Sequence, residues 1–374
     1  MSPHAYIPVN EPLLDSNEKK YLNECLDTGW ISSEGPFIKQ FEQKFSMRVN
    51  RMHGIAVCNG TAALDAAIEA LGIGAGDEVI MPTFTIISCI GQIVRVGAKP
   101  VLVDSDPITW NMDTSQIESK ITERTKAIMV VHIFGLPVDM DPVLDIARRH
   151  GLKVLEDAAQ MHGQTYKGQP CGSFGDISTF SFYPNKHITT GEGGMIVTND
   201  GRLAEDCRSL RNLCFQPQRR FVHERLGWNL RMTNMQAALG VAQLERLDAF
   251  VMRKRGMGRL YTELLSGIQG IQLPLPITYY AENIYWVYGV VLADEINFDA
   301  EEAMRRLTAK GIGSRPFFWP MHEQPVLRKM GLFEGEQYPV AERIARRGFY
   351  LPSGMALTET QIEQSAQSLR EILQ

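Results

Sequence analysis

The sequence predicts an α/β protein built on a mostly parallel sheet, on two observations. Short apolar runs recur from about Gly54 onward at residues 78–81, 101–103, 128–131 and 154–155, each too brief for a helix and bounded by Gly, Pro, Asp or Asn, as buried strands are. Between them lie amphipathic stretches such as 61–71, which follows Asn59-Gly60, and 142–150, which follows Met140-Asp141. Strand and helix therefore alternate, the pattern of a sheet with helices on its faces.

After Ser173 the texture changes. Residues 177–183 and 195–198 read as two strands joined through the glycine-rich turn Thr190-Gly191-Glu192-Gly193-Gly194. Met235, Leu239, Ala242, Leu244 and Leu247 recur at helical spacing, which predicts one long helix from Thr233 through about Leu265. A domain boundary is expected inside that helix, giving a large unit over residues 1–250 and a smaller one over 251–374, with the N-terminal segment a candidate to pack on the smaller unit. There, 286–292 and 312–318 read as strands and 300–309 and 358–373 as helices, a small α+β arrangement. The length of 374 residues agrees with two domains of roughly 100–200 residues each.

Hydrophobic residues make up 44% of the chain and charged residues 22%, globular proportions that argue against disorder or a fibrous architecture. A net charge of −5, with Lys and Arg scattered rather than massed in a stripe, argues against nucleic-acid binding. Met1-Ser2-Pro3-His4-Ala5 lacks the basic start and apolar core of a secretion signal, and no apolar run approaches the roughly 18 residues of a membrane span. The chain reads as cytoplasmic, without membrane association. Cys25, Cys58, Cys89, Cys171, Cys207 and Cys214 form no C-x-x-C pair and have no His at metal-ligand spacing, so reduced core thiols and no metal site are expected. Cys214, after a charged helical stretch, is the candidate reactive exception.

The chemistry gathers in the middle third. Lys186 closes Phe180-Ser181-Phe182-Tyr183-Pro184-Asn185-Lys186, where an aromatic strand ends in a Pro-Asn turn. Apolar walls disfavour an ammonium ion and lower its pKa, which favours Schiff-base formation with an aldehyde; the plain alternative is a solvated loop lysine. Asp157 ends Lys153-Val154-Leu155-Glu156-Asp157 at the carboxyl end of a strand, where open α/β sheets place their ligands. A carboxylate there either pairs with a pyridinium nitrogen, keeping the ring an electron sink, or caps a following helix. Gln160, three residues on, is placed to reach the phenolic oxygen of the same cofactor. Asn59-Gly60-Thr61-Ala62-Ala63 offers a helix N-terminus, whose free N–H groups and positive dipole end favour a phosphate, although the same pattern serves as a simple cap. Ser181, five residues before Lys186, adds a hydroxyl suited to the same anion.

Segments in a shared order carry a resemblance: Trp30-Ile31-Ser32-Ser33, Gly60-Thr61, Gly76-Asp77-Glu78-Val79-Ile80, Glu156-Asp157-Ala158-Ala159-Gln160, Phe180-Ser181-Phe182, Asn185-Lys186, residues 188–195, Arg231-Met232-Thr233-Asn234 and Ser314-Arg315-Pro316-Phe317-Phe318. Nearly end to end, the chain resembles the DegT/DnrJ/EryC/StrS family of sugar aminotransferases. The resemblance implies an aspartate-aminotransferase-like fold of pyridoxal-phosphate-dependent transferases, with a large mixed-sheet domain and a small C-terminal α+β domain. It implies pyridoxal 5'-phosphate as cofactor, glutamate as amino donor, a keto-sugar as acceptor, and a homodimer whose active sites are shared between subunits. By the same resemblance Lys186 is the Schiff-base lysine, Asp157 the pyridine partner and Gln160 the contact to the phenolic oxygen. Gly60, Thr61 and Ser181 form the phosphate site, and Asn229, in Gly227-Trp228-Asn229-Leu230-Arg231, reaches the phosphate from the other subunit.

The resemblance extends to members that aminate a nucleotide-linked 4-keto-6-deoxyhexose, and it implies such an acceptor here, for surface polysaccharide. The chain departs from them at three places. Pro82-Thr83-Phe84-Thr85-Ile86 puts Ile86 where an aromatic residue commonly stacks on the cofactor, so Ile86 packs on the ring without stacking. Arg211-Asn212-Leu213-Cys214-Phe215 stands in place of a Gly-Gln-Gly type loop, and Asn283 in place of a His shortly before Tyr285-Trp286. For substrate binding, Arg231 either grips the donor carboxylate bidentately or makes a structural ion pair, and His322 either reaches the sugar or donor carboxylate or holds its loop; Arg315 is a third candidate. His187 and His322 have no metal-ligand partner nearby in sequence. Three rival readings stand beside this one: an aminotransferase for a free or differently activated keto-sugar, a dehydratase on the same scaffold, and a non-catalytic cofactor-binding sensor. The dehydratase relatives carry His where Lys186 stands, and the sensor reading lacks a DNA-binding segment.

Overall fold

The structure is a computed structural model that describes residues 6–216 and 218–374; the segment Met1–Ala5, read above for a secretion signal, lies outside the described residues. Along the first half run α1 (Glu18–Thr28), α2 (Pro36–Arg48), β1 (His53–Val57), α3 (Gly60–Ala70), β2 (Glu78–Pro82), α4 (Ile87–Arg95), β3 (Lys99–Val103), β4 (Thr125–Val131), α5 (Met140–His150) and β5 (Lys153–Asp157). The short β6 (Thr165–Tyr166) and β7 (Gln169–Pro170) precede β8 (Ile177–Ser181), β9 (Gly194–Thr198), α6 (Gly201–Arg211), α7 (Asn234–Leu244) and α8 (Leu247–Leu265). The remainder holds β10 (Ile271–Gln272), β11 (Tyr288–Leu292), α9 (Ala300–Ala309), β12 (Arg315–Pro316), α10 (Pro325–Lys329), α11 (Pro339–Arg347), β13 (Gly348–Leu351) and α12 (Glu359–Leu373).

Seven strands form one sheet in the order β1-β9-β8-β5-β4-β2-β3. β3, β2, β4, β5 and β8 run parallel, whereas β9 runs antiparallel between β8 and β1, so the sheet is mixed. Its parallel strands are buried along almost their whole length because helices cover both faces. Within β4, Ile128 and Val130 join a buried cluster with Phe41, Phe45, Phe180 and Phe182, while Ala127, Met129 and Val131 join another with the alanines of α3. That alternation is the period of two expected of a strand.

A second, antiparallel sheet runs in the order β10-β11-β13-β12 over its own cluster, which includes Tyr261, Tyr288, Phe349, Leu351 and Leu369. Ile7 forms a parallel bridge with Ile312, so the N-terminal segment contacts the part of the chain that carries this sheet. No helix among the described residues is long and apolar enough to cross a membrane.

Two expectations need correction. The single helix expected from Thr233 is two helices, because Glu245 accepts hydrogen bonds from Asn17 and Tyr21 and Arg246 pairs with Asp15; these contacts with the N-terminal segment hold Arg246 out of helical geometry (φ −110°). The strand expected over 312–318 is only Arg315–Pro316. Backbone groups just before it are taken by the N-terminal segment instead: Ile7 N–H donates to the Gly311 carbonyl and Gly313 N–H to the Ile7 carbonyl, both near 2.9 Å (2.9 and 2.8 Å). We propose that the two units divide close to residue 250, beside the break between α7 and α8.

Phe45, 1% exposed, meets Phe180 edge-on at 4.8 Å and Phe182 at 5.2 Å between ring centroids. Phe45→Ala is therefore expected to cost about 3–5 kcal/mol, read as a lower urea midpoint at unchanged slope; a cost under about 1 kcal/mol would contradict the packing described.

Candidate active site

The site forms where three strand ends meet. Val57 lies opposite Gly194, and Gly194 opposite Ser181, at the carboxyl edge of the parallel strands. From Val57 the chain turns into α3 through Cys58 and Asn59. A Cβ at Gly194 would lie 2.3 Å from the Asn59 carbonyl oxygen, and one at Gly60 2.7 Å from Ser181 Cβ, so only glycines allow the helix to start this close to the sheet. Asn59 Oδ1 accepts from Ala62 N–H at 2.8 Å, and its carbonyl accepts from Ala63 N–H at 3.1 Å. The amides of Gly60 and Thr61 have no partner within the helix and lie at its positive end beside the Ser181 hydroxyl, an arrangement suited to a phosphate. A Cβ at position 60 would fill this cradle.

Alternation along the strands brings Asp157 and Ser181 to the α3 side of the sheet, while Glu156 and Ser178 face the other side. Asp157 is buried at 4% exposure. Its Oδ1 accepts from Ala159 N–H at 3.0 Å, and its Oδ2 from the Cys89 thiol at 3.2 Å. No helix follows β5 directly, so Asp157 is not a helix cap. Burial raises its pKa, opposed by the Ala159 amide, the Cys89 thiol and the nearby charges of Lys186 and His132. The Cys89 thiol is pushed well up by burial and by Asp157, so it stays protonated and acts as a donor. Thr85 Oγ1 lies 3.2 Å from its sulfur.

Lys186 follows β8 in a loop whose ends are tied together, Phe182 N–H to the Gly193 carbonyl at 2.8 Å and Thr190 N–H to the Phe182 carbonyl at 3.0 Å. Although the residue as a whole is half-buried, its amine lies 3.9 Å from the centroid of the Trp286 indole. Desolvation lowers the amine pKa to about 8, while Asp157 and Cys89 pull it up. Trp286 is fixed in turn by its Nε1–H, which donates to the Asn185 carbonyl at 2.7 Å. A desolvated amine, a buried carboxylate and an anion cradle thus share one edge of the sheet.

The other residues singled out in the sequence divide. Gln160 is buried, and its Oε1 accepts from Phe134 N–H, which leaves Nε2 as its remaining donor. Ile86 is 45% exposed just before α4. Asn229 is exposed and bridges to Asn212; Arg231 Nη1 donates to Asn212 Oδ1 at 2.7 Å. Arg315 is exposed and sits opposite Tyr350, whose ring lies 6.5 Å from that of Trp286. His322 is 1% exposed with both ring nitrogens engaged, Nδ1 with Thr83 Oγ1 at 2.8 Å and Nε2 with Glu342 Oε1 at 3.0 Å. That geometry gives His322 a structural role in its loop. Asn283 is likewise occupied: its Nδ2 donates to the Leu275 carbonyl and its Oδ1 accepts from Tyr285 N–H at 2.7 Å, so it shapes backbone rather than pocket.

Sequence reasoning did not find Cys89 or Trp286 as parts of the site, nor the buried network behind it. His132, Glu156 and Cys171 converge, but the protein itself satisfies the carboxylate: Glu156 accepts from Gly172 N–H, Phe174 N–H, Ser178 Oγ and His132 Nε2. Val138 N–H donates to His132 Nδ1, which puts the ring proton on Nε2. No spacing in the sequence signals these contacts, since they join residues from separate strands and loops. The thiols are all free; Cys214 is buried and its sulfur donates to the Leu226 carbonyl at 3.6 Å.

Residues 12–370 match the DegT/DnrJ/EryC1/StrS aminotransferase family. The chain is 44% identical to GDP-perosamine synthase of Caulobacter vibrioides over 100% of both chains, and 42% identical to GDP-perosamine synthase of Escherichia coli O157:H7 over 98% of each. Among solved structures, the putative sugar aminotransferase Spr1654 of Streptococcus pneumoniae in its PLP form superposes with a TM-score of 0.91 at 25% identity, over 98% of each chain.

Gly60→Ala tests the cradle, since its methyl group would press on Ser181. Affinity for inorganic phosphate, measured by titration calorimetry on cofactor-free protein, is expected to fall roughly tenfold, the scale of one lost charge-assisted hydrogen bond. Unchanged affinity would place the anion site elsewhere.

Proposed function

The chain belongs to the DegT/DnrJ/EryC1/StrS aminotransferase family and is a pyridoxal-phosphate-dependent sugar aminotransferase, and we propose that it moves the amino group of glutamate to a nucleotide-linked 4-keto-6-deoxyhexose. The observation that carries this reading is the convergence of the Lys186 amine, the Asp157 carboxylate and the cradle of Gly60, Thr61 and Ser181. These residues fit the cofactor: Lys186 would hold it covalently, Asp157 would pair with its ring nitrogen, Gln160 Nε2 would reach its phenolic oxygen, and the cradle would take its phosphate.

When bound, pyridoxal phosphate supplies an aldehyde that carries nitrogen and a protonated ring that draws electrons from the reacting carbon. Asp157 would keep that ring protonated, because a buried carboxylate beside a ring N–H favours the charged pair. Ile86, exposed just before α4, would offer an apolar surface to the ring without stacking on it. Lys186, with its amine free, would take the proton from the donor carbon and pass it to the cofactor side, and an amine titrating near pH 8 suits both transfers near neutrality. Trp286 keeps water from one side of that amine. Arg315, exposed and with a side chain that makes no hydrogen bond among the described residues, is available for the glutamate carboxylate, whereas Arg231 is tied to Asn212. Donor and acceptor use the site in turn.

The working unit in this reading is a homodimer in which Asn229 reaches the phosphate site of the other subunit. Exposed apolar side chains at Trp30, Ile31, Ile86, Ile87 and Tyr183 support a face that a second copy covers. Likeness to the two GDP-perosamine synthases supports GDP-4-keto-6-deoxymannose as the acceptor, with surface polysaccharide as the product's destination. Of the three departures from those enzymes, Asn283 is buried away as backbone support, which leaves Ile86 and the 212–215 loop as places where the pocket differs.

The experiment is to supply glutamate and GDP-4-keto-6-deoxymannose and follow the amino sugar by mass spectrometry. Amine transfer is expected; failure with this acceptor beside robust transfer to a non-nucleotide keto-sugar would reverse the substrate assignment. Lys186→Ala should abolish turnover together with the yellow colour that glutamate bleaches in the wild type, and full turnover by that variant would remove Lys186 from the chemistry. Asp157→Asn should stay folded and lose at least about a hundredfold in rate, the scale of one preorganised electrostatic partner; near-normal rates would contradict its pairing with the ring.

A further inference from the structure

Lys254, on α8, is 2% exposed, and burial alone pushes its pKa down, to about 7, with no carboxylate close enough to oppose the shift. A buried amine without an anion is an expensive side chain, and a methionine would fill the same space without that cost. What its Nζ does is donate to two backbone carbonyls, that of Trp286 at 2.9 Å and that of Ser353. Trp286 stands just before β11, outside the sheet ladder, and Lys254 is the donor to its carbonyl.

The same tryptophan is the wall beneath the reacting amine. Its neighbour Tyr285 takes a left-handed backbone conformation (φ 49°), held by Asn283 Oδ1 on Tyr285 N–H. The Tyr285 ring fits over Gly258, one turn along α8 from Lys254, where a Cβ would lie 2.3 Å from the ring. On the opposite side, a Cβ at Gly135 would lie 2.6 Å from the amide nitrogens of both Tyr285 and Trp286. The segment is clamped from both sides, and α8 supplies two of the holds.

We propose that Lys254 is a positioning residue for Lys186: by holding the Trp286 carbonyl it seats the indole against the reacting amine and keeps water away from it. The inference rests on the reading of Lys186 as the amine that takes the cofactor. The charged and titratable groups that bear on Lys186 are Asp157 and Cys89; His162 and His187 feel its charge and are held neutral by burial, and His187 also feels Lys254. Lys254 is not among the groups that shift Lys186 directly, so its effect passes through Trp286.

The test uses cofactor-free full-length protein. Pyridoxal phosphate is added across a pH series, the adduct is trapped with borohydride, and modification at Lys186 is timed by mass spectrometry, which yields the pKa of that amine without any turnover. In the wild type the midpoint is expected near pH 8. Lys254→Met lets water reach the amine, which favours the ammonium form and moves the midpoint up toward the ordinary lysine value. A rise of about one pH unit is expected, with capture about tenfold slower at neutral pH because the free-amine fraction falls tenfold per unit. Lys254→Arg keeps a donor to both carbonyls and should return the midpoint toward that of the wild type. A folded Lys254→Met protein with an unmoved midpoint and only a lower melting temperature would overturn the proposal. Should that variant not accumulate as folded protein, Trp286→Leu carries the same test, and an unmoved midpoint there overturns it equally. Absence of any wild-type adduct at Lys186 would instead overturn the reading on which the proposal rests.

Discussion

Two backbones nearly touch where Gly194 passes the Asn59 carbonyl, and the rest of the site depends on that approach. Glycine is ordinarily a poor strand residue, and its presence in one often marks a place where another backbone must come close. Because Gly194 lies between Val57 and Ser181 in register, the approach decides where α3 begins and therefore where its unpaired amides sit. From the same glycine-rich turn, Gly193 and Thr190 bond back to Phe182 and close the loop that carries Lys186. One steric condition thus sets both the anion cradle and the position of the amine.

Two adjacent acids, Glu156 and Asp157, end β5 and have opposite fates because consecutive side chains point to opposite faces. Glu156 is fully satisfied by four donors, and Arg51, which bonds the carbonyls of Gly172 and Phe174, brings a compensating charge near it. Asp157 has only Ala159 and Cys89. A buried carboxylate so lightly supplied is costly unless a positive charge lies near it, and the nearby Lys186 amine is one such charge. The network on one face of β5 holds the strand in place, and the sparse supply on the other face leaves capacity for chemistry.

Much of this was legible in the sequence, for physical reasons that can be named. The parallel core was readable because its strands carry short apolar runs bounded by turn residues. Asp157, Ser181 and the start of α3 were readable because strand ends and helix starts carry local signals. Lys186 was readable only through its neighbours, since one lysine after a strand says little. What escaped depends on contacts between remote segments. Cys89 meets Asp157 across 68 positions of chain, and Trp286 meets the Lys186 loop across 101. The helix that broke at Glu245 and Arg246 did so through side chains of the N-terminal segment, which periodicity cannot register. His322 had the residue type for a ligand, but only its two hydrogen-bond partners reveal that it is already occupied.

The pairing of β1 with β9 also bears on how the molecule is assembled. It joins residues 53–57 to residues 194–198, a pairing that must offset the entropy of closing a long loop. The cradle between Gly60 and Ser181 exists only where this pairing is made, because it brings the start of α3 beside the end of β8. An anion that binds only the finished cradle draws the population toward the closed sheet by mass action. Occupancy of the site is therefore coupled to the stability of the closed sheet.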